Sequence, residues 1–147
     1  MVLRPTVRSL PMGDVQPVNI LRALRSFGWS VLLESGRGGR YSYVFGPALL
    51  RLEYDGTTTT LRSSEKTDVW EGDPWNHLGS FAEQFGVTRH PALKNFPGGV
   101  VGYLAYDMVR TLERLPDSTV DDVPLPLLRF DYSDRFVELD HTTGQLS

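Results

Sequence analysis

Apolar residues recur along the first part of the chain in two different rhythms. Between Asp14 and Gly28, Val18, Leu21, Leu24 and Phe27 fall three apart, which is the spacing of one helical face, and Gly28 is a natural stop. The rhythm then changes. SVLLES and YSYVFG are short runs rich in β-branched, apolar or aromatic residues, and each predicts a strand. ALLRLEYDG and TTTTLRS flank Asp55-Gly56, a two-residue hairpin signal, because glycine tolerates positive φ. Residues 65–71 predict an additional edge strand.

Asp73 is placed to cap a helix with Pro74 at its first position. Trp75, Leu78, Phe81 and Phe85 form its apolar stripe, and Gly86 ends it. Residues 87–97 read as a loop. GGVVGYLAYD is apolar almost throughout, as expected of a strand buried on both faces. MVRTLERLP predicts a short helix closed by Pro116, and DSTVDDVPLP a polar loop. LLRFDYSDRFVELD supplies one long strand or two. HTTGQLS reads as a turn and the first residues of a returning strand that stops before it pairs fully, which predicts a fragment of a longer protein. Strands and helices alternate irregularly around a clear antiparallel hairpin. The expected class is α+β: a mostly antiparallel sheet packed with two or three helices, in one domain fragment, 1–147.

Composition narrows the functions. With 40% apolar and 22% charged residues the chain has an ordinary globular balance. A net charge of −3 argues against a nucleic-acid surface, which needs clustered positive charge. No window approaches the ~18 uninterrupted apolar residues of a membrane span, and the N-terminus lacks a signal-peptide pattern. Cysteine is absent, so disulfides and thiolate chemistry are excluded, and a cytoplasmic setting fits. His77, His90 and His141 lie far apart and carry no metal-ligand spacing.

LLESGRGGRYS, residues 32–42, is the main candidate for chemistry. A phosphate loop is one reading, but no helix follows the glycines and no P-loop lysine is present. A plain turn between two strands is the second. The third is a zwitterion pocket: Glu34 accepting from an ammonium group, Ser35 hydrogen-bonding beside it, Arg40 holding a carboxylate, and Leu32, Leu33 and Tyr41 or Tyr43 walling an apolar side chain. A Glu34–Arg40 salt bridge is the simpler use of the same charges. In FPGGVVGYLAYDMVRTLERLP, residues 96–116, glycines 98, 99 and 102 imply close backbone approach. Asp107 reads as a helix cap, and Tyr103 and Tyr106 as core or interface residues. The acidic pairs Asp121-Asp122 and Asp131/Asp134 read as solvated loop.

The two motifs in this order resemble the N-terminal region of component I of the chorismate-utilising amination enzymes, anthranilate synthase and aminodeoxychorismate (para-aminobenzoate) synthase. The matching segments are Leu32 to Ser35, Arg40 to Ser42, Phe96 to Asp107 and Glu113 to Pro116, with Pro126 to Ser133 a looser match. The resemblance runs from about residue 15 to the end. It implies a non-catalytic scaffolding and regulatory region that packs on a C-terminal chorismate-binding domain within a larger α/β sandwich. Catalytic residues and Mg²⁺ ligands are implied in that missing domain, with no cofactor in these residues and a glutamine amidotransferase subunit as partner. It also implies a partial tryptophan site, in which Leu33, Glu34 and Ser35 match one contact strand and Arg40 and Tyr41 a second patch. The short SGRGGRYS loop and the EGDP at 71–74 look more like the aminodeoxychorismate type, which serves folate biosynthesis. The anthranilate type and a stand-alone amino-acid-binding module are the alternatives.

Overall fold

The computed structural model describes residues 2–3, 6–28, 31–36, 38–87, 91, 95–116 and 124–147, with the backbone alone at 2, 3, 86 and 87. In chain order the elements are β1 (Val2–Leu3), β2 (Leu10–Pro11), α1 (Pro17–Leu24), β3 (Val31–Leu33), β4 (Tyr41–Phe45), β5 (Leu50–Tyr54), β6 (Thr58–Arg62), β7 (Thr67–Glu71), α2 (Pro74–Glu83), β8 (Gly86–Val87), β9 (Gly99–Leu104), β10 (Leu128–Ser133), β11 (Phe136–Asp140) and β12 (Gln145–Leu146), with 3-10 turns at Arg25–Phe27 and Tyr106–Thr111. They form two compact units. One holds Met1–Leu49, Gln84–Gly99 and Ser133–Ser147; the other holds Leu50–Glu83 and Val100–Tyr132. The α+β class and the antiparallel pairing agree with the sequence reading.

The second unit is built on a five-stranded sheet of order β7-β6-β5-β10-β9. Its β5–β6 hairpin turns one residue later than expected. Asp55 N–H donates to the Thr58 carbonyl at 3.2 Å, so Gly56 and Thr57 are the central pair. The Asp55 side chain causes the shift: its Oδ1 accepts the N–H groups of Thr57 and Thr58, both at 2.8 Å. Those backbone donors hold the Asp55 carboxyl below its usual pKa.

Asp73 caps α2 as the sequence suggests, its Oδ1 accepting Trp75 N–H at 2.9 Å. The helix ends at Glu83, so Phe85 falls outside it. Phe81 is 1% exposed, and the helix that carries it packs on β5 and β6. Its loss to alanine removes about 3–5 kcal/mol of packing.

Several expectations for this unit fail for identifiable reasons. Among the described residues GGVVGYLAYD is not covered on both faces. β9 is the last strand of its sheet, Val101 alone among its described residues is buried, and Tyr103 and Leu104 are 38% and 45% exposed. Gly102 does mark a close approach, since a Cβ there would strike the Arg129 carbonyl. The helix expected at 108–116 is instead the 3-10 turn beginning at Tyr106. Asp107 caps nothing; its carboxylate pairs with Arg110 at 2.8 Å. Tyr106, expected in the core or at an interface, is 86% exposed, which removes the core alternative alone. Asp131 is not in a solvated loop. It lies on β10, 2% exposed, and receives Arg51 at 2.8 and 3.1 Å and Arg129 at 3.2 Å. Asp121-Asp122 and His90 lie outside the described residues.

The first unit holds a five-stranded sheet of order β2-β12-β11-β4-β3 and the short parallel pair β1-β8. Pro17 starts α1, and Gly28, at φ 82°, closes the turn that follows it with its N–H on the Arg25 carbonyl. α1 packs on β3 and β4. The returning strand expected after His141 is β12, and it is paired on both sides, with β11 and with β2. Val44 and Leu139 are fully buried at the centre of this sheet.

Candidate functional site

The LLESGRGGRYS stretch joins β3 to β4. Three apolar residues make β3, and the strand gives out at Glu34 because backbone pairing with β4 ends at Leu33↔Tyr43. Beyond that point a side chain replaces the ladder. Ser35 N–H donates to Ser42 Oγ at 2.9 Å. The loop then closes on itself through Gly39 N–H to the Gly36 carbonyl at 3.1 Å, with Gly38 in the left-handed region at φ 82°. A Cβ at Gly39 would collide with Ser35 Oγ, so glycine there lets the two segments touch.

The far end of β11 holds this loop. Arg40 grips Asp140 through two parallel bonds, Nε to Oδ1 at 3.0 Å and Nη2 to Oδ2 at 2.7 Å. This is the fork geometry in which guanidinium and carboxylate pair best. Those bonds, with the Thr142 and Thr143 N–H groups on Oδ1, hold the Asp140 carboxyl well below the usual carboxylate range. The same pairing raises the Arg40 pKa. Arg40 also lies over the Tyr41 ring, 4.9 Å from its centroid. His141 adds two ties. Its N–H donates to the Arg40 carbonyl at 2.8 Å, and its Nε2 lies 2.8 Å from Ser42 Oγ. Ser42 is fully buried.

These contacts correct one sequence-based alternative. Arg40 pairs with Asp140, not with Glu34, because β11 runs beside β4 and places Asp140 at the loop while Glu34 is exposed. The five nominated residues therefore occupy one loop and its flanking strands in different states. Leu33 is 46% exposed and Glu34 is exposed. Ser35 and Tyr41 are half-buried, and Arg40 leaves 46% of its side chain open while bound to Asp140.

Sequence reasoning missed Asp140, His141 and Glu138. No local spacing links them to a loop about a hundred residues earlier. The one available signal is the alternation in RFVELD, which puts Phe136, Glu138 and Asp140 on one face. In the sheet they stand opposite Phe45, Tyr43 and Tyr41. Tyr43 and Glu138 act on each other across this row, and burial is the main cause that raises the pKa of both groups.

Next to this row lies an aromatic cluster. Phe96, the first residue of the second motif, meets Tyr43 at 5.9 Å, Phe45 at 5.5 Å and Phe136 at 5.2 Å between ring centroids. The opening residue of one motif thus packs on strand residues that follow the other. A separate cavity of about 480 Å³ in the same unit is lined by Val7, Leu10, Ile20 and Phe136 among others, and by none of the five nominated residues. Among the described residues no group of three or more His, Asp or Glu is placed to hold a metal ion. No described helix is long and apolar enough to cross a membrane.

This architecture has known relatives, and they are component I chains of synthases. The chain is homologous to chains named anthranilate synthase component 1 and aminodeoxychorismate synthase component 1. The anthranilate synthase component 1 of Thermus thermophilus is 53% identical over 145 residues, covering 97% of this chain and 28% of the relative. That of Acetivibrio thermocellus is 31% identical over 130 residues, covering 85% and 26%. The aminodeoxychorismate synthase component 1 of Bacillus subtilis is 31% identical over 116 residues, covering 79% and 25%. Among solved structures, anthranilate synthase component I from Streptococcus pneumoniae superposes with a TM-score of 0.60 over 97% of this chain and 31% of its own; at 20% identity it supports the fold alone. The chain spans between a quarter and a third of the length of these relatives. No family model matches it.

Proposed function

We propose that this chain is the N-terminal, non-catalytic part of component I of a chorismate-aminating synthase, and that the β3–β4 loop forms part of an amino-acid site, with tryptophan as its ligand. One observation carries the reading of the loop: Arg40 is fixed in place by Asp140 while nearly half of its side chain stays open. A guanidinium has five N–H donors and Asp140 engages two of its nitrogens, so donors remain for a ligand carboxylate. Glu34, exposed beside Ser35, supplies the acceptor for an ammonium group. Chorismate chemistry and any Mg²⁺ belong, in this reading, to the remaining length of the synthase, and ammonia comes from a glutamine amidotransferase partner.

The 53% identity to a relative named anthranilate synthase component 1 supports the anthranilate branch, where tryptophan acts as a feedback inhibitor. The short SGRGGRYS loop and EGDP support the aminodeoxychorismate branch as the second reading. Two assays on the parent-length protein separate these claims. Supplied with chorismate and ammonia, the first branch yields fluorescent anthranilate and the second aminodeoxychorismate. Calorimetry with tryptophan is expected to give saturable binding that Glu34→Ala weakens about tenfold, the loss of one charge-assisted contact. No heat of binding by the wild-type protein would remove the tryptophan site while leaving the branch assignment standing.

A further inference from the structure

Among the described residues one buried side-chain polar atom has no hydrogen-bond partner, Oε2 of Glu138. The residue is 6% exposed. The charged groups facing it are Arg40 and Asp140, which bond each other and leave Oε2 without a partner. Protein interiors rarely leave such an acceptor idle, so its place in the fold matters.

Glu138 lies in a single cross-strand row with Tyr43 and Leu33. Directly opposed residues of antiparallel strands share a face. At ~4.8 Å between strands, the row puts Glu138 about 10 Å from Leu33, where the candidate loop begins. The neighbouring row is Phe136, Phe45 and Val31, with Phe96 against the first two. Around Glu138 this face is therefore apolar and aromatic, and the other carboxylate on it, Asp140, is already bonded to Arg40. Oε2 is closed to bulk water, so the donor that suits it is one carried on an apolar ring.

We propose that Glu138 Oε2 accepts the N–H of a planar, apolar amino-acid side chain whose charged ends are held at the Glu34–Arg40 loop. The inference rests on the amino-acid reading above and adds what selects the side chain. An indole has one N–H on an apolar ring and fits; a phenyl ring has none.

The test is calorimetry on the parent-length protein with tryptophan and 1-methyltryptophan, which lacks the indole N–H. The wild type is expected to bind the methylated analogue at least about tenfold more weakly. In Glu138→Leu the gap is expected to close to within about twofold, and in Glu138→Gln, which keeps an acceptor oxygen, to persist. Equal binding of the two ligands by the wild type overturns the proposal without any variant. A gap unchanged in a folded Glu138→Leu protein also overturns it, because it assigns the effect to the bulk of the methyl group. Absence of tryptophan binding by the wild type removes the amino-acid reading itself.

Discussion

Two arginine–aspartate forks in this chain have nearly the same geometry and different surroundings. Arg51 meets Asp131 at 2.8 and 3.1 Å between directly opposed residues of β5 and β10. Arg40 meets Asp140 at 3.0 and 2.7 Å, just outside the start of β4. The Asp131 side chain is 3% exposed and shares a second arginine, Arg129; the Asp140 side chain is 14% exposed and its partner is 46% open. The buried fork locks the register of a sheet. The open fork positions a loop and keeps a cation at the surface. Burial, more than bond length, separates a structural pair from one available to a ligand.

Removing one partner from each fork should therefore give unequal results. Asp131→Ala leaves Arg51 and Arg129 without their shared acceptor and is expected to destabilise the protein by about 3 kcal/mol. Asp140→Ala is expected to shift the urea midpoint far less while weakening ligand binding. Equal midpoint shifts would end the distinction.

A pair of glycines sharpens the same contrast. A Cβ at Gly102 would meet backbone, the Arg129 carbonyl, which cannot step aside without disturbing the sheet. Gly102→Ala is expected to lose about 1–3 kcal/mol in denaturant titration. A Cβ at Gly39 would meet the Ser35 hydroxyl, a single rotatable group. Gly39→Ala is expected to leave the unfolding midpoint nearly unchanged and to lower ligand affinity, because Ser35 must turn away.

Acid titration offers a smaller effect with a definite sign. Burial lifts the Glu138 pKa above 4.5, so the folded chain keeps a proton that the unfolded chain releases. That contribution is full below the ordinary glutamate value and is lost as pH rises through the folded value. Asp140 runs the other way. Its carboxyl is held well below 3.8, chiefly by Arg40, so its contribution is present above the ordinary aspartate value and is lost as pH falls through the folded one. Melting temperatures of the wild type minus Glu138→Gln should rise as pH is lowered from neutral toward about 5. The difference from Asp140→Asn should shrink as pH drops below about 4.

The hairpin unit was the more legible of the two in the sequence. β5, β6 and β7 follow one another and pair with neighbours in the chain, so alternation and turn residues located them. The turn was misplaced by one residue because the Asp55 side chain captures two N–H groups that a bare turn would leave to the backbone. The run GGVVGYLAYD was over-read, since hydrophobicity alone does not tell a central strand from an edge strand. In the other unit the loop residues were nominated from local charge, but their partner was not. Arg40 is one residue from Tyr41 and a hundred from Asp140, and no local pattern joins them. The site's geometry comes from the β4–β11 register, a long-range property that appears only after folding.

The central claim is that Asp140, and not Glu34, fixes Arg40 for ligand binding. A double-mutant cycle by tryptophan calorimetry on the parent-length protein tests it most directly, using Arg40→Ala, Asp140→Ala and the double variant. The account predicts that the double variant binds no more weakly than Arg40→Ala alone, because Asp140 acts through that arginine. Losses that simply add would contradict it.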